Sequence, residues 1–161
     1  IPSGAIVTGL GNFRGAKRRL EFKGKLGGAD VYDDYAHHPT EIAATLDAAR
    51  QMGYDRVICV YQPHTYSRTK LLFGDFVSVL SGVENLVIYK TYPAREYFDA
   101  DGSALTLSEH LPNSLYIESV RELEIYLRCS LGAGDVALFL GAGDIYFAAK
   151  QIVRNLKNSD S

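Results

Sequence analysis

The chain is poor in residues that mark several protein classes: it has no tryptophan, one methionine and two cysteines among 161 residues. Cys59 lies in an apolar run and Cys129 in a helical pattern, which is typical of small core residues rather than of a disulfide, so a cytoplasmic protein is expected. No apolar run approaches the roughly 20 residues that cross a bilayer, so no membrane is expected. The net charge is −2 and no basic run alternates with aromatic residues, which argues against a nucleic acid partner.

The sequence also lacks a phosphate-binding loop that ends in Gly-Lys-Ser or Gly-Lys-Thr. If the protein uses ATP, the cradle for the triphosphate therefore lies elsewhere. Residues 9–15 come near the dinucleotide-binding pattern, but the third glycine is one residue late and no strand precedes the match. Residues 141–144 follow an apolar run and open a helical pattern. They predict either backbone N–H groups that face an anion or a tight turn that permits close packing.

After Gly15 the chain alternates strand-like and helix-like segments. Two strand-like segments flank a Gly-Gly turn and predict an antiparallel hairpin over residues 20–26 and 29–32. Four short apolar runs predict strands buried on both faces: 57–61, 86–89, 115–117 and 136–140. Helical spacing separates these runs, with one helix predicted from Leu72 to Leu80. The pattern predicts one α/β domain whose mainly parallel sheet is covered by helices on both faces, with a small N-terminal hairpin at one edge.

The densest group of reactive side chains is the segment from Asp33 to Glu41, with sequence DDYAHHPTE, between a strand and a helix predicted to begin at Pro39. Polar groups at the carboxyl end of a strand face the crevice where α/β proteins bind ligands. The plainer alternative is a helix cap in a solvated loop. A metal site is not expected, because adjacent histidines before Pro39 are awkward ligands and no fourth ligand is evident.

Two further loops place charge at strand ends. His64 and Arg68 follow the apolar run at 57–61 and share a face if the segment is helical, while Arg95 and Glu96 follow the run at 86–89. A solvated helix start is the alternative for the first of these loops. Three strand ends with such side chains favour a shared pocket. Arg18 and Arg19 are predicted to open the first strand, so only one of them is expected to face a given ligand, because neighbouring side chains of a strand point to opposite faces. A solvated surface pair is the alternative.

Five segments of this sequence, in this order and spacing, resemble the carboxy-terminal domain of the Mur ligases. They are residues 17–21, 33–41, 62–69, 92–94 and 141–143. The resemblance covers nearly the whole chain. It implies a Rossmann-like carboxy-terminal domain cut from a three-domain enzyme, with residues 1–16 as a linker and residues 158–161 as a frayed tail. The missing phosphate loop and the lack of an initiator methionine agree with this interpretation.

The resemblance further implies an ATP-dependent amide ligase that adds L-alanine to UDP-N-acetylmuramate through an acyl phosphate, in peptidoglycan precursor synthesis. ATP and Mg²⁺ would be bound mainly by the central domain, over which this domain would close to exclude water. The isolated domain is expected to be inactive. Two alternatives remain open at this point: a ligase that recycles a tripeptide, and a stand-alone nucleotide-binding module.

The resemblance also implies roles for individual residues. Arg19 resembles an arginine that approaches the ATP phosphates, and Asp34 resembles an acid near the ribose. Three side chains line the substrate side by the same reasoning: Tyr35 and His37 beside nucleotide and substrate, and His64 at the amino-acid carboxylate. Arg68 joins His64 there, and His37 and Arg68 are the expected catalytic residues. Thr65 departs from the family, in which many members have a second arginine after this histidine, so Arg95 could supply the missing charge.

Overall fold

The computed structural model describes residues 18–157. The glycine pattern at 9–15, the linker expected over 1–16 and the tail expected over 158–161 lie outside the described residues. The described part contains a six-stranded sheet: β1 Glu21–Leu26, β2 Ala29–Asp34, β3 Arg56–Tyr61, β4 Asn85–Tyr89, β5 Ser114–Ile117 and β6 Asp135–Leu140.

The strand order is β1-β2-β6-β3-β4-β5, so the last strand of the chain lies between β2 and β3. β1 pairs antiparallel with β2, and all other neighbours are parallel. This confirms the predicted mainly parallel sheet with an antiparallel hairpin at one edge. The carboxyl ends of β2, β6, β3 and β4 therefore stand side by side along one edge of the sheet, where polar loops can meet.

Helices cover both faces of the sheet, as predicted. They are α1 Pro39–Gln51, α2 Tyr66–Leu71, α3 Phe73–Leu80, α4 Ala104–Glu109, α5 Val120–Ser130 and α6 Ile145–Lys157, with a 3₁₀ turn at Ala100–Gly102. Buried side chains of α1, α3 and α4 pack on one face, and those of α5 and α6 pack on the other. Within residues 18–157 no helix combines the length and the apolar character that crossing a membrane requires.

Three local features differ from the sequence-based expectation. β2 runs two residues further than predicted, because Asp33 and Asp34 continue the pairing with β6. The sequence left open whether the loop after β3 is helical, because only one residue of α2, Thr69, is buried and the segment has no apolar periodicity. Cys59 is buried as expected, and burial raises the pKa of its thiol to about 12, but Cys129 is exposed on α5.

Candidate functional site

Backbone hydrogen bonds extend beyond the strand ends and hold the carboxyl-edge loops together. Gly141 N–H donates to the Asp34 carbonyl at 3.1 Å, and Gln62 N–H donates to the Leu140 carbonyl at 2.9 Å. On the other side of β3, Tyr92 N–H donates to the Pro63 carbonyl at 2.9 Å. The loops that follow β2, β6, β3 and β4 are therefore hydrogen-bonded to one another and form one connected rim.

On this rim four rings form a continuous series, which we call the aromatic row: Tyr35, His37, His64 and Tyr92. Their successive ring centroids are 5.3, 6.1 and 5.3 Å apart, and the His64 and Tyr92 rings are stacked with an interplanar angle of 14°. Arg68 lies beside the row, where its Nη1 donates to the His64 carbonyl at 2.9 Å. The structure thus brings together side chains from all three of the predicted strand-end loops.

The surroundings of His37 select its tautomer. Its Nδ1 lies 3.0 Å from the Tyr35 carbonyl oxygen, which can only accept a hydrogen bond. The neutral ring therefore carries its proton on Nδ1 and leaves Nε2 as an acceptor. His38 has a structural role instead: it is the N-cap of α1, and Glu41 completes a capping box with it. The helix-cap alternative is therefore correct for His38.

His64 has the opposite arrangement. Nη1 of Arg68 lies 3.4 Å from Nδ1 of His64 and can only donate, so the proton of the neutral imidazole belongs on Nε2. Burial, reinforced by the positive charge of Arg68, lowers the pKa of His64. His64 is therefore a neutral donor at physiological pH.

This lowered pKa predicts a measurable titration. In the ¹H–¹³C NMR spectrum of this chain, the His64 C2–H signal should titrate with a midpoint below the ordinary value of 6.5. Arg68→Met should move the midpoint upward, because it removes a neighbouring positive charge, while the signal of His110, which packs on Phe73, should stay in place. The stability that neutral His64 contributes is complete above pH 6.5 and is lost as the pH falls through the lower folded value. A His64 midpoint unchanged by Arg68→Met would contradict this electrostatic coupling.

Asp34 and Arg19 meet at an open depression beside α1. Asp34 is buried, and its carboxylate accepts the backbone N–H groups of Leu20 and Ala36, both at 2.8 Å. Arg19 is exposed, and it lines the depression of about 470 Å³ together with Asp34, Thr40 and other residues at the start of α1. Asp34 thus fixes the turn that carries Arg19, while the guanidinium itself remains accessible to a ligand.

Arg18 is a rim residue that the sequence-based interpretation did not select. Its guanidinium lies between the rings of Tyr35 and Tyr146, 4.6 and 4.5 Å from their centroids, and its Nη2 donates to the Gly141 carbonyl at 2.6 Å. It also pairs with the fully buried Asp33 at 3.4 Å. Burial raises the pKa of Asp33, and the charges of Arg18 and Lys23 oppose this. Arg18 is therefore a structural cation that braces Tyr35.

The two arginines separate for a different reason than the one expected. They precede β1 instead of opening it, and Arg18 has a positive φ of 57°. The chain therefore turns sharply at Arg18, with one side chain on the rim and the other at the depression. A sequence pattern could not reveal this turn, since arginine is an uncommon residue at positive φ.

The glycine turn after β6 is packed against the protein's own side chains. Gln62 Oε1 accepts the Ile145 N–H at 3.0 Å, and Gln62 Nε2 donates to Asp144 at 2.8 Å. A Cβ on Gly143 would lie 2.6 Å from the Gln62 amide oxygen and from the Tyr92 side chain. Residues 141–144 thus form a tight turn that permits close packing, and the Ile145 N–H at the start of α6 is bonded to Gln62.

Thr65, which the resemblance marked as a departure from the family, donates from Oγ1 to Glu96 at 2.7 Å. Arg95, the alternative source of charge, is exposed. Within residues 18–157 no group of three histidine, cysteine or acidic side chains is arranged to hold a metal ion.

The family model and the curated relatives that match this chain all belong to one protein family. The model of the Mur ligase, glutamate ligase domain matches residues 18–143. The UDP-N-acetylmuramate–L-alanine ligase of Clostridium acetobutylicum is 46% identical over 146 residues, which are 88% of this chain and 32% of that protein. The enzyme of the same name from Clostridium beijerinckii is 40% identical over 158 residues, covering 96% of this chain and 34% of that protein. The chain therefore spans about a third of the length of these curated relatives.

Solved structures agree. The UDP-N-acetylmuramate-alanine ligase of Thermotoga maritima superposes with a TM-score of 0.74 at 25% identity, over 99% of this chain and 34% of that one. A second structure superposes with a TM-score of 0.63 at 26% identity, over 86% of this chain and 99% of that one. It is a single domain from a putative UDP-N-acetylmuramate:L-alanyl-γ-D-glutamyl-diaminopimelate ligase of Haemophilus ducreyi. The chain belongs to the Mur ligase family, to whose carboxy-terminal domain it corresponds.

Proposed function

We propose that this chain is the carboxy-terminal domain of a cytoplasmic, ATP-dependent UDP-N-acetylmuramate–L-alanine ligase. The observation that carries the proposal is the aromatic row with Arg68 beside it, in a chain up to 46% identical to proteins of that name. The substrates would be ATP, UDP-N-acetylmuramate and L-alanine. The central domain of the same protein would supply the phosphate loop and the Mg²⁺ ligands.

The two histidines of the row are chemically complementary. Neutral His64 offers an Nε2–H donor and Arg68 offers a planar cation, a pair suited to the carboxylate of an amino acid. His37 offers an Nε2 acceptor suited to the amino group. The amine must lose a proton as it attacks the acyl phosphate, and His37 would take that proton. The tetrahedral intermediate then collapses with release of phosphate.

The depression beside α1 would receive the nucleotide. Arg19 is accessible there, and its guanidinium group can donate to phosphate oxygens. Asp34 lines the same depression, and Tyr35, the next residue, is the first ring of the aromatic row. Closure of this domain over the central domain would bring Arg19 to ATP and the aromatic row to the acyl phosphate together. It would also shield the acyl phosphate from water.

Arg68→Ala in the full-length enzyme should raise the KM for alanine about tenfold or more, because a charge-assisted hydrogen bond contributes roughly 1.5–3 kcal/mol. The KM for ATP should remain unchanged in steady-state assays of phosphate release. Arg128→Ala is the matched control, since this arginine also bonds a residue four positions earlier, Glu124, but lies on α5. An unchanged KM for alanine would remove Arg68 from the amino-acid site.

The tripeptide-recycling ligase is the second candidate, because the murein peptide ligase of Psychrobacter arcticus has the same fold with a TM-score of 0.67. Its identity of 22% supports the fold alone, whereas the curated relatives at 40–46% identity bear the alanine-ligase name. The deciding experiment is phosphate release by the full-length protein with ATP, magnesium and UDP-N-acetylmuramate, comparing L-alanine with the tripeptide. Release that needs alanine supports the proposal, and release with the tripeptide alone overturns it.

The third candidate, a stand-alone nucleotide-binding module, makes a separate prediction. Such a module would bind ATP tightly as the isolated 161-residue chain, without any partner domain. A ligase domain that shares its nucleotide site with a central domain would bind ATP weakly and release no phosphate alone. Isothermal titration of this chain with ATP therefore distinguishes the two.

A further inference from the structure

Glu96, in the loop after β4, connects two loops of the rim. Its carboxylate accepts hydrogen bonds from Thr65 Oγ1 at 2.7 Å, from Ser67 N–H at 2.9 Å and from the Ser67 hydroxyl. The Glu96 N–H donates to the Pro93 carbonyl at 2.9 Å, which fixes the loop locally. A single acidic side chain therefore satisfies donors from a segment 29 to 31 residues earlier in the chain.

The two residues that Glu96 holds lie between His64 and Arg68. Thr65 is the immediate neighbour of His64, and its carbonyl accepts the N–H of Thr69 at 3.1 Å, in the first turn of α2. Arg68 bonds the His64 carbonyl from within the same turn. The direction of both side chains therefore depends on how the segment 65–67 is held.

The other end of the Glu96 loop contacts the same histidine. Tyr92 stacks on His64, and its backbone continues the pairing of β3 with β4 beyond the strand ends. His64 is thus fixed by a ring on one side and by the Thr65–Glu96 contact on the other. Both fixing groups come from one loop, residues 91–96.

We propose that Glu96 is a positioning residue that holds His64 and Arg68 in the geometry that binds the amino-acid carboxylate. The inference rests on the proposed function and extends it to a residue that does not touch the substrate. Three donors occupy the carboxylate of Glu96, so it braces the loop instead of binding the substrate ammonium group.

The charge state of Glu96 is consistent with this role. Hydrogen bonds from the Ser67 hydroxyl and backbone, followed by the one from Thr65, lower the pKa of Glu96 to about 2. The carboxylate is therefore ionised throughout the range in which a ligase works. Thr65 supplies one of these donors through its hydroxyl group.

The test uses full-length enzyme with Glu96→Ala, Glu96→Gln and the control Glu122→Gln. Glu122 is matched because it likewise accepts the N–H and hydroxyl of a serine, Ser119, at the start of a helix, but it lies on α5. Glu96→Ala should raise the KM for alanine about five- to tenfold, with kcat within about twofold and the KM for ATP unchanged. Glu96→Gln keeps an acceptor oxygen and should show a smaller increase, and Glu122→Gln none.

A second measurement keeps the inference distinct from the proposed function. In the NMR spectrum of this chain, Glu96→Ala should shift the C2–H signal of His64, whatever the substrate is, and leave that of His110 in place. A shifted His64 signal in an enzyme that does not use alanine would overturn the proposed function and retain the positioning role. An unmoved His64 signal, or equal rises in the KM for alanine and for ATP, would overturn the positioning role.

Discussion

Replacement of Arg19 by alanine should lower kcat/KM for ATP of the full-length enzyme about 100-fold, equivalent to roughly 2.7 kcal/mol of lost interaction. The guanidinium is exposed beside the buried Asp34, which fixes the turn but leaves the arginine accessible to a ligand. Two charge-assisted hydrogen bonds to phosphate oxygens at roughly 1.5 kcal/mol each account for the loss. The measurement is steady-state phosphate release at varied ATP concentration.

The fold should survive this change, because an exposed side chain contributes little to the core. Arg19→Lys should recover only part of the activity, because an ammonium group lacks the planar fork. Arg50→Ala is the control: this arginine is also exposed, but it bonds Asp47 and the Gly82 carbonyl at the far end of α1. Wild-type ATP kinetics in Arg19→Ala would mean that the depression beside α1 does not receive the phosphates.

Gln62→Leu should lower the free energy of unfolding of this chain by about 3 kcal/mol, because each buried group left without a partner costs roughly 1–3 kcal/mol. Gln62 is fully buried and accepts from Ile145 N–H while donating to Asp144 and to the Lys90 carbonyl. Leucine fills a similar volume but leaves those groups unpaired. Urea unfolding followed by circular dichroism measures the change.

Gln51→Leu provides the comparison for this experiment. Gln51 is the last residue of α1 and is exposed, so the same chemical change there should alter stability by less than about 0.5 kcal/mol. Equal stabilities of the two variants would show that the three hydrogen bonds of Gln62 add nothing to the fold. The position also matters beyond stability, because Gln62 precedes Pro63 and His64 and ties their loop to α6.

The sequence predicted the strands well because strands buried on both faces need continuous apolar runs, as at residues 57–61 and 136–140. It also predicted that the loops at three strand ends would come together, since the ends of parallel strands share one edge. The roles of Arg18 and Glu96 were not predicted, because they depend on contacts with residues distant in the chain, such as Gly141 and Thr65. A local sequence pattern does not show which distant residues will be in contact.

The helix α2 is a second example of a feature that a local sequence pattern does not predict. Its sequence YSRTKL has helical hydrogen bonds but only one buried residue, so its stability comes from neighbours rather than from its own periodicity. Among those neighbours is Glu96, which a sequence pattern could only present as a charged loop residue. The shape of the rim segment that bears Arg68 is thus encoded only weakly by its own sequence.

The central place of β6 has a consequence for synthesis of the protein. Until residues 135–140 leave the ribosome, β2 and β3 have no strand between them, and the chain consists of a hairpin and a three-stranded piece with open edges. The loops bearing His37 and His64 can be brought together only when the final strand inserts. A nascent or truncated chain that ends before Asp135 therefore exposes the unpaired edges of β2 and β3, and the rim can form only after the last strand is added.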